Sequence, residues 1–103
     1  MCSRIWLPVL MSSLVATALA AKSPAAECEG RKLALTGKYA LCRLQARAQA
    51  VRRETVPDLD RCEASLAKKH ARIERKFGDA CPRLGDLEII REEVEARIAE
   101  VAP

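Results

Sequence analysis

Aromatic residues are nearly missing from this chain: one Trp, one Tyr and one Phe among 103 residues. Proteins that hold single-stranded nucleic acid do so largely by stacking bases on aromatic rings, so this supply argues against a nucleic-acid partner. Histidine is as scarce, with His70 alone. A general base or metal ligand needs partners within reach, and none stands at motif spacing from His70. Between Lys69 and Arg72 it reads as a half-exposed surface residue. No serine has a histidine partner in a nucleophile motif. The acidic pairs Glu92–Glu93, Asp58–Asp60 and Glu27–Glu29 read as solvated or helix-end charge. The chain has no C-x-x-C pair, which removes thioredoxin-type redox chemistry, c-type haem attachment and close-spaced zinc sites. It also lacks internal repeats, low-complexity tracts and strand-type alternation. The expectation is a non-enzyme with no metal and no cofactor.

Long apolar runs are missing as well. Arg4 is followed by Ile5-Trp6-Leu7-Pro8-Val9-Leu10-Met11, continuing through Leu14-Val15-Ala16 and ending at Ala18-Leu19-Ala20. A positive head, a short apolar stretch and a small-x-small end describe a secretory signal peptide over residues 1–20. A membrane span needs ~20 apolar residues, and Ser12, Ser13 and Thr17 interrupt this one. A lipid anchor does not fit either, because Cys28 follows Glu27 and lies well past the apolar run. The expected mature chain is one small domain, residues 21–103, secreted or periplasmic, with no transmembrane segment.

What is present is cysteine. Of five, Cys2 leaves with the signal peptide, and Cys28, Cys42, Cys62 and Cys81 remain, 14, 20 and 19 positions apart. Four cysteines in a short exported chain read as a disulfide framework. So small a domain, with an aliphatic and alanine-rich core, gains little from burial alone.

Around those cysteines the apolar residues fall at helical spacing. The first helix is expected over about 25–52, with Cys28, Leu35, Tyr39, Cys42, Ala46 and Gln49 on one face. Leu33, Leu41, Leu44, Ala48 and Val51 make a second stripe beside it. Val56-Pro57-Asp58 breaks this helix, since proline disfavours helical geometry in the residue before it. A second helix follows over about 58–77, opened by Pro57 or Asp58. Its stripe is Leu59, Cys62, Leu66, Ile73 and Phe77, with Lys69 or His70 in the gap, and Gly78 ends it. Asp86 caps a third helix over about 86–101, with Leu87, Ile90, Val94, Ile98 and Val101 apolar. There Arg91–Glu95 and Glu93–Arg97 are spaced to pair at i,i+4. The fold class is all-α: a disulfide-stapled antiparallel helical hairpin plus a C-terminal helix, a small three-helix bundle.

Helix geometry restricts the pairing. Cys28 and Cys42 on one helix stand about 21 Å apart at 1.5 Å per residue, too far to bond. Cys28 and Cys62 begin antiparallel helices and lie at opposite ends of the hairpin. The nested set remains, Cys42–Cys62 near the turn and Cys28–Cys81 at the open end. Cys42 precedes Pro57 by 15 residues and Cys62 follows it by five, so the first helix must end early or overshoot.

Cys28, Gly37-Lys38-Tyr39-Ala40-x-Cys42, Pro57-Asp58-x-x-x-Cys62 and Cys81-Pro82-x-x-Gly85-Asp86 together resemble a recurring four-cysteine module of uncharacterised bacterial secreted proteins. The resemblance covers most of the mature chain and implies a secreted helical hairpin. It brings no activity and no active-site residues. The last segment is more acidic than the resemblance implies.

Charge is the remaining asymmetry. Residues 22–53 hold eight Lys/Arg against two Glu, and residues 84–103 hold two against six Asp/Glu. On one reading Arg31, Lys32, Lys38, Arg43, Arg47, Arg52 and Arg53 form an anion-binding face for anionic lipid, polysaccharide or nucleic acid, the last disfavoured by export and by the shortage of aromatics. On the other, preferred here, the acidic third helix packs near the basic first and the charges offset one another. The functional expectation is a small module that binds or builds in the cell envelope or extracellular space. Its partner is another envelope or secreted protein, or an anionic surface. The alternative is a cationic, membrane-active or toxin-like helical peptide.

Overall fold

The computed structural model describes residues 23–101. The expected signal peptide, residues 1–20, and its Cys2 lie outside the described residues. Three α-helices follow one another, α1 (Pro24–Arg53), α2 (Asp60–Phe77) and α3 (Leu87–Val101), with a 3-10 turn at Gly78–Ala80 between α2 and α3. No strand occurs among the described residues, and none of these helices is long and apolar enough to cross a membrane.

α1 starts where local chemistry satisfies its free N–H groups. Ser23 Oγ accepts the Ala26 N–H at 3.1 Å, and Pro24 takes the first turn, where its missing N–H costs nothing. The helix runs eleven residues past Cys42, so the first helix overshoots. It stops at Glu54, which adopts a left-handed conformation (φ 56°) while the Thr55 N–H reaches back to the Ala50 carbonyl at 2.9 Å. The chain then returns along the last turns of α1 through Val56 and Pro57, and Cys62 arrives beside Cys42. α2 begins at Asp60, two residues later than expected, because Asp58 turns its carboxylate back to accept the Asp60 N–H.

Both bridges of the nested set are formed: Cys28–Cys81 with Cα atoms 5.4 Å apart and Cys42–Cys62 at 5.8 Å. They fix α1 and α2 antiparallel. α3 runs the same way as α1, its start beside Lys32 and its middle beside Arg43. Leu35 and Tyr39 of α1, Cys62 and Leu66 of α2, and Val94 and Ile98 of α3 make the core. Leu66 is essentially sealed, at 1% exposure. Ala40, Ile73, Leu87 and Ile90 close over it.

Four local expectations are corrected. The second apolar stripe of α1 does not widen its buried face: Leu33, Leu41, Leu44, Ala48 and Val51 are all exposed. Gln49 is exposed and Ala50 takes the buried place, because the inward face of α1 sits one position further round. His70 is not on the surface: at 4% exposure it fills the gap in the apolar stripe of α2. Neither i,i+4 pair on α3 is formed. Arg91 pairs instead with Glu63 of α2 and, one turn back on its own helix, with Glu88, while Glu95 reaches across to Arg43 of α1.

Candidate functional site

Two ionic networks cross the bundle, one beside each disulfide. At the open end Lys32 enters from α1 and is almost completely buried. Its ammonium donates to Glu74 Oε2 (3.0 Å), to the Arg83 carbonyl (2.6 Å) and to Asp86 Oδ1 (2.8 Å). Three N–H groups meet three acceptors, so the charge is fully satisfied. His70 Nε2 lies 2.8 Å from the same Asp86 oxygen. An ionised carboxylate only accepts, so His70 presents Nε2–H there. Glu74 also accepts the Gly85 N–H at 2.8 Å, which ties the loop before α3 to α2. Asp86 does stand just before α3, with its carbonyl accepting the Ile90 N–H, but its carboxylate serves the interior.

The electrostatics follow from these contacts. Burial works against the charged form of Lys32, but its bonds to Asp86 and Glu74 outweigh that and hold the ammonium above its ordinary value. Burial would likewise raise the two carboxyls. Hydrogen bonds from Lys32, joined by His70 on Asp86 and by Gly85 on Glu74, hold both below theirs.

His70, Glu74 and Asp86 each bring one potential ligand atom within 4.8 Å of the others, a grouping that could in principle hold a metal ion. The place of the cation is filled from within, however. Lys32 Nζ touches both carboxylates, and its raised affinity for protons keeps it an ammonium. A divalent ion would have to displace that ammonium, which already ties the two carboxylates to α1.

At the turn end the cation is Arg43, also buried. One guanidinium nitrogen donates to Tyr39 Oη (2.9 Å), Glu95 (2.7 Å) and Glu63 (3.3 Å), joining all three helices. The Tyr39 hydroxyl donates to Glu63, and Arg91 reaches Glu63 at 2.5 Å while also binding Glu88. Burial and the bond to Glu63 push the Tyr39 hydroxyl up. Glu63, despite burial, is held low by Tyr39 and Arg91. Arg43 Nε is buried with no hydrogen-bond partner.

These networks divide the seven cations of the expected anion-binding face. Lys32 and Arg43 do not belong to an outward face, because each is buried against carboxylates that include Asp86, just before α3, for Lys32 and Glu95 of α3 for Arg43. For these two, the offset between basic α1 and acidic α3 holds. Arg47 is half-buried, and Arg31, Lys38, Arg52 and Arg53 are exposed. Arg31 makes a long 3.8 Å pair with Glu27 and lies over the Phe77 ring, which Lys76 also approaches. Lys32 and His70 were both legible as inward-facing. Lys32 is four residues after Cys28 and three before Leu35, and His70 is four after Leu66. Residue type suggested surface, and helical period places them inside.

A different basic feature emerges from the fold. Arg31 and Lys38 of α1 and Lys69 and Arg72 of α2 line one depression of about 300 Å³, floored by Ala34, Leu35 and Ile73. Lys38, Lys69 and Arg72 form no ion pair among the described residues. Sequence reasoning assigned the cations of α1 to a face of that helix, and did not bring Lys69 and Arg72 to it.

Compared with protein-family models, curated proteins and solved structures, the chain matches none of them.

Proposed function

We propose that the chain is a small exported module that acts by binding, without catalysis, in the cell envelope or extracellular space. The observation that carries this reading is how its buried ionisable groups are used. Lys32, His70, Glu74 and Asp86 are bonded to one another, as are Tyr39, Arg43 and Glu63, so the groups best placed for acid–base chemistry are committed to holding helices together. Two disulfides call for an oxidising compartment. The apolar run ending at Ala20 and the resemblance to bacterial secreted four-cysteine modules support export.

Two measurements test this. N-terminal sequencing of the protein recovered outside the cytoplasm should begin at or near Ala21, and material beginning at Met1 counts against export. Vesicles of mixed neutral and anionic lipid loaded with dye should stay sealed when the oxidised protein is added. Leakage would turn the reading to the cationic membrane-active alternative.

A further inference from the structure

The basic depression between α1 and α2 differs from the places where cations link the elements of the bundle. There Lys32 meets Asp86, Arg43 meets Glu95 and Arg91 meets Glu63. Here Arg31 and Lys38 face Lys69 and Arg72 across one concavity that no acidic residue lines. Among the described residues Arg31 has only its long 3.8 Å pair with Glu27, outside the concavity, and Lys38, Lys69 and Arg72 make no ion pair. Like charges set opposite each other on two helices repel, and an uncompensated local conflict of this kind marks a functional site. The helices cannot move apart to relieve it, because both disulfides join α1 to α2. The repulsion is therefore fixed into a preorganised site that a bound anion would relieve.

The geometry points to a site for closely spaced phosphate groups, and we propose that this depression binds a phosphate-bearing polyanion, an inference that rests on the binding reading above. Arg31 and Lys38 are two helical turns apart, about 10 Å along α1, and Lys69 and Arg72 cover about half that span on α2. Four positive charges match two doubly charged phosphates, of about −1.5 to −2 each, or a cluster of singly charged phosphodiester headgroups. Two of the four are arginines, whose planar forks bind phosphate oxygens in pairs. The floor of Ala34, Leu35 and Ile73 is apolar and shallow, so charge provides the attraction. Phosphates of this spacing occur both in a free chain and on a lipid surface, and the recognising chemistry is the same.

Isothermal titration of the oxidised protein with sodium tripolyphosphate, and sedimentation with vesicles of phosphatidylglycerol in phosphatidylcholine, separate the two sources. Binding at low salt should weaken roughly tenfold or more between 50 and 200 mM salt, as expected where a few contacts release counterions. The triple variant Lys38→Gln/Lys69→Gln/Arg72→Gln should lose at least about tenfold in affinity. A variant with the same loss of charge elsewhere, Arg52→Gln/Arg53→Gln/Arg75→Gln, should bind as the parent does. Circular dichroism should show both variants equally helical. Binding to tripolyphosphate alone identifies a free polyanion, to vesicles alone a lipid headgroup, and to both a site that reads phosphate wherever it is carried. Equal loss in the two triple variants, or no binding to either probe at low salt, overturns the proposal. A sealed-vesicle result with no phosphate binding would overturn this site and leave the binding module standing.

Discussion

The two ends of the hairpin solve the same problem with different materials. Each pairs one disulfide with one buried cation. At the open end the cation is a lysine whose three protons meet three acceptors, two of them largely buried carboxylates. At the turn end it is an arginine that joins three helices but leaves its Nε–H without a partner, and its carboxylate Glu95 is half exposed. The open end is thus sealed and self-contained. The turn end is broader and wetter, and its helix α1 projects past the start of α2. Energetically, a sealed ion cluster depends on every member, because a charge left alone in a dry site has no solvent to fall back on.

The largest effect expected is loss of a staple. On the chain-entropy account a bridge with a sequence separation of 53 contributes about 4 kcal/mol and one of 20 about 3 kcal/mol. Cys28→Ala/Cys81→Ala should therefore cost a little more than Cys42→Ala/Cys62→Ala in chemical denaturation. Alanine avoids placing a serine hydroxyl in the fully buried Cys28 site. Hydrogen exchange should separate the two more sharply. The first variant should loosen the 3-10 turn and the start of α3, and the second the first turn of α2. Equal loosening at both ends would mean that the bundle, and not the staples, holds the ends.

Next comes the cation at each end. Lys32→Met strands Asp86 and Glu74 with only His70 and backbone for company, and should cost about 3 kcal/mol. Arg43→Met removes three hydrogen bonds, but it also removes an orphaned Nε–H, and Glu95 can turn to water. Its cost should stay nearer 1 kcal/mol. Thermal unfolding of the two variants side by side measures the difference. An equal loss would show that burial of the carboxylate partners does not set the cost.

Why these cations were not all placed by sequence is itself physical. Period fixes which face of a helix a residue occupies, and it gave the three helices, the nested pairing and the core positions Leu35, Tyr39, Leu66, Val94 and Ile98. The same period puts Lys32 in line with Cys28 and Leu35, and His70 in line with Leu66. A charged or titratable side chain is read as exposed unless its partners are known, however, and both are read so. Those partners are distant in sequence: Asp86 is 54 residues from Lys32, and Glu95 is 52 from Arg43. The basic depression was illegible for the same reason. Its halves belong to two helices, and only the register fixed by the disulfides brings Arg31 and Lys38 opposite Lys69 and Arg72.

Acid should weaken both ends. Asp86, Glu74 and Glu63 are held below their ordinary values of 3.8, 4.5 and 4.5. A carboxyl depressed by folding contributes stability that is fully present above its unfolded value and is lost as pH falls through its lower folded value. Stability should therefore be level near neutrality on their account and fall progressively below about pH 4.5. The groups facing Asp86 are Lys32 from α1 and His70 and Glu74 from α2, so Asp86→Asn removes an acceptor common to both helices. That variant should be less stable at pH 7 and lose less on acidification. Glu63→Gln should do the same at the turn end. A parent-like acid slope in Asp86→Asn would shift the acid response to the turn end.

The smallest effect separates the ends by backbone alone. Three described residues have positive φ: Glu54 at the turn end (56°), and Gly78 and Gly85 at the open end (52° and 70°). The open end has glycine where the backbone requires it, whereas the turn end holds a glutamate in a conformation that crowds its Cβ. Glu54→Gly should thus stabilise by about 0.5–1 kcal/mol, net of the extra freedom glycine has when unfolded. Gly85→Ala should destabilise by about 1 kcal/mol or slightly more. A Cβ built on Gly85 meets no heavy atom within 4 Å, so that cost is free of any clash and reports the dihedral alone. The Glu54 side chain makes no hydrogen bond or ion pair among the described residues, so its removal is equally clean. Opposite signs in urea denaturation would show that strain is stored at the turn and relieved at the open end. If Glu54→Gly is neutral or destabilising, the overshoot of α1 is closed without strain, and the looseness of that end lies in its wet ion network.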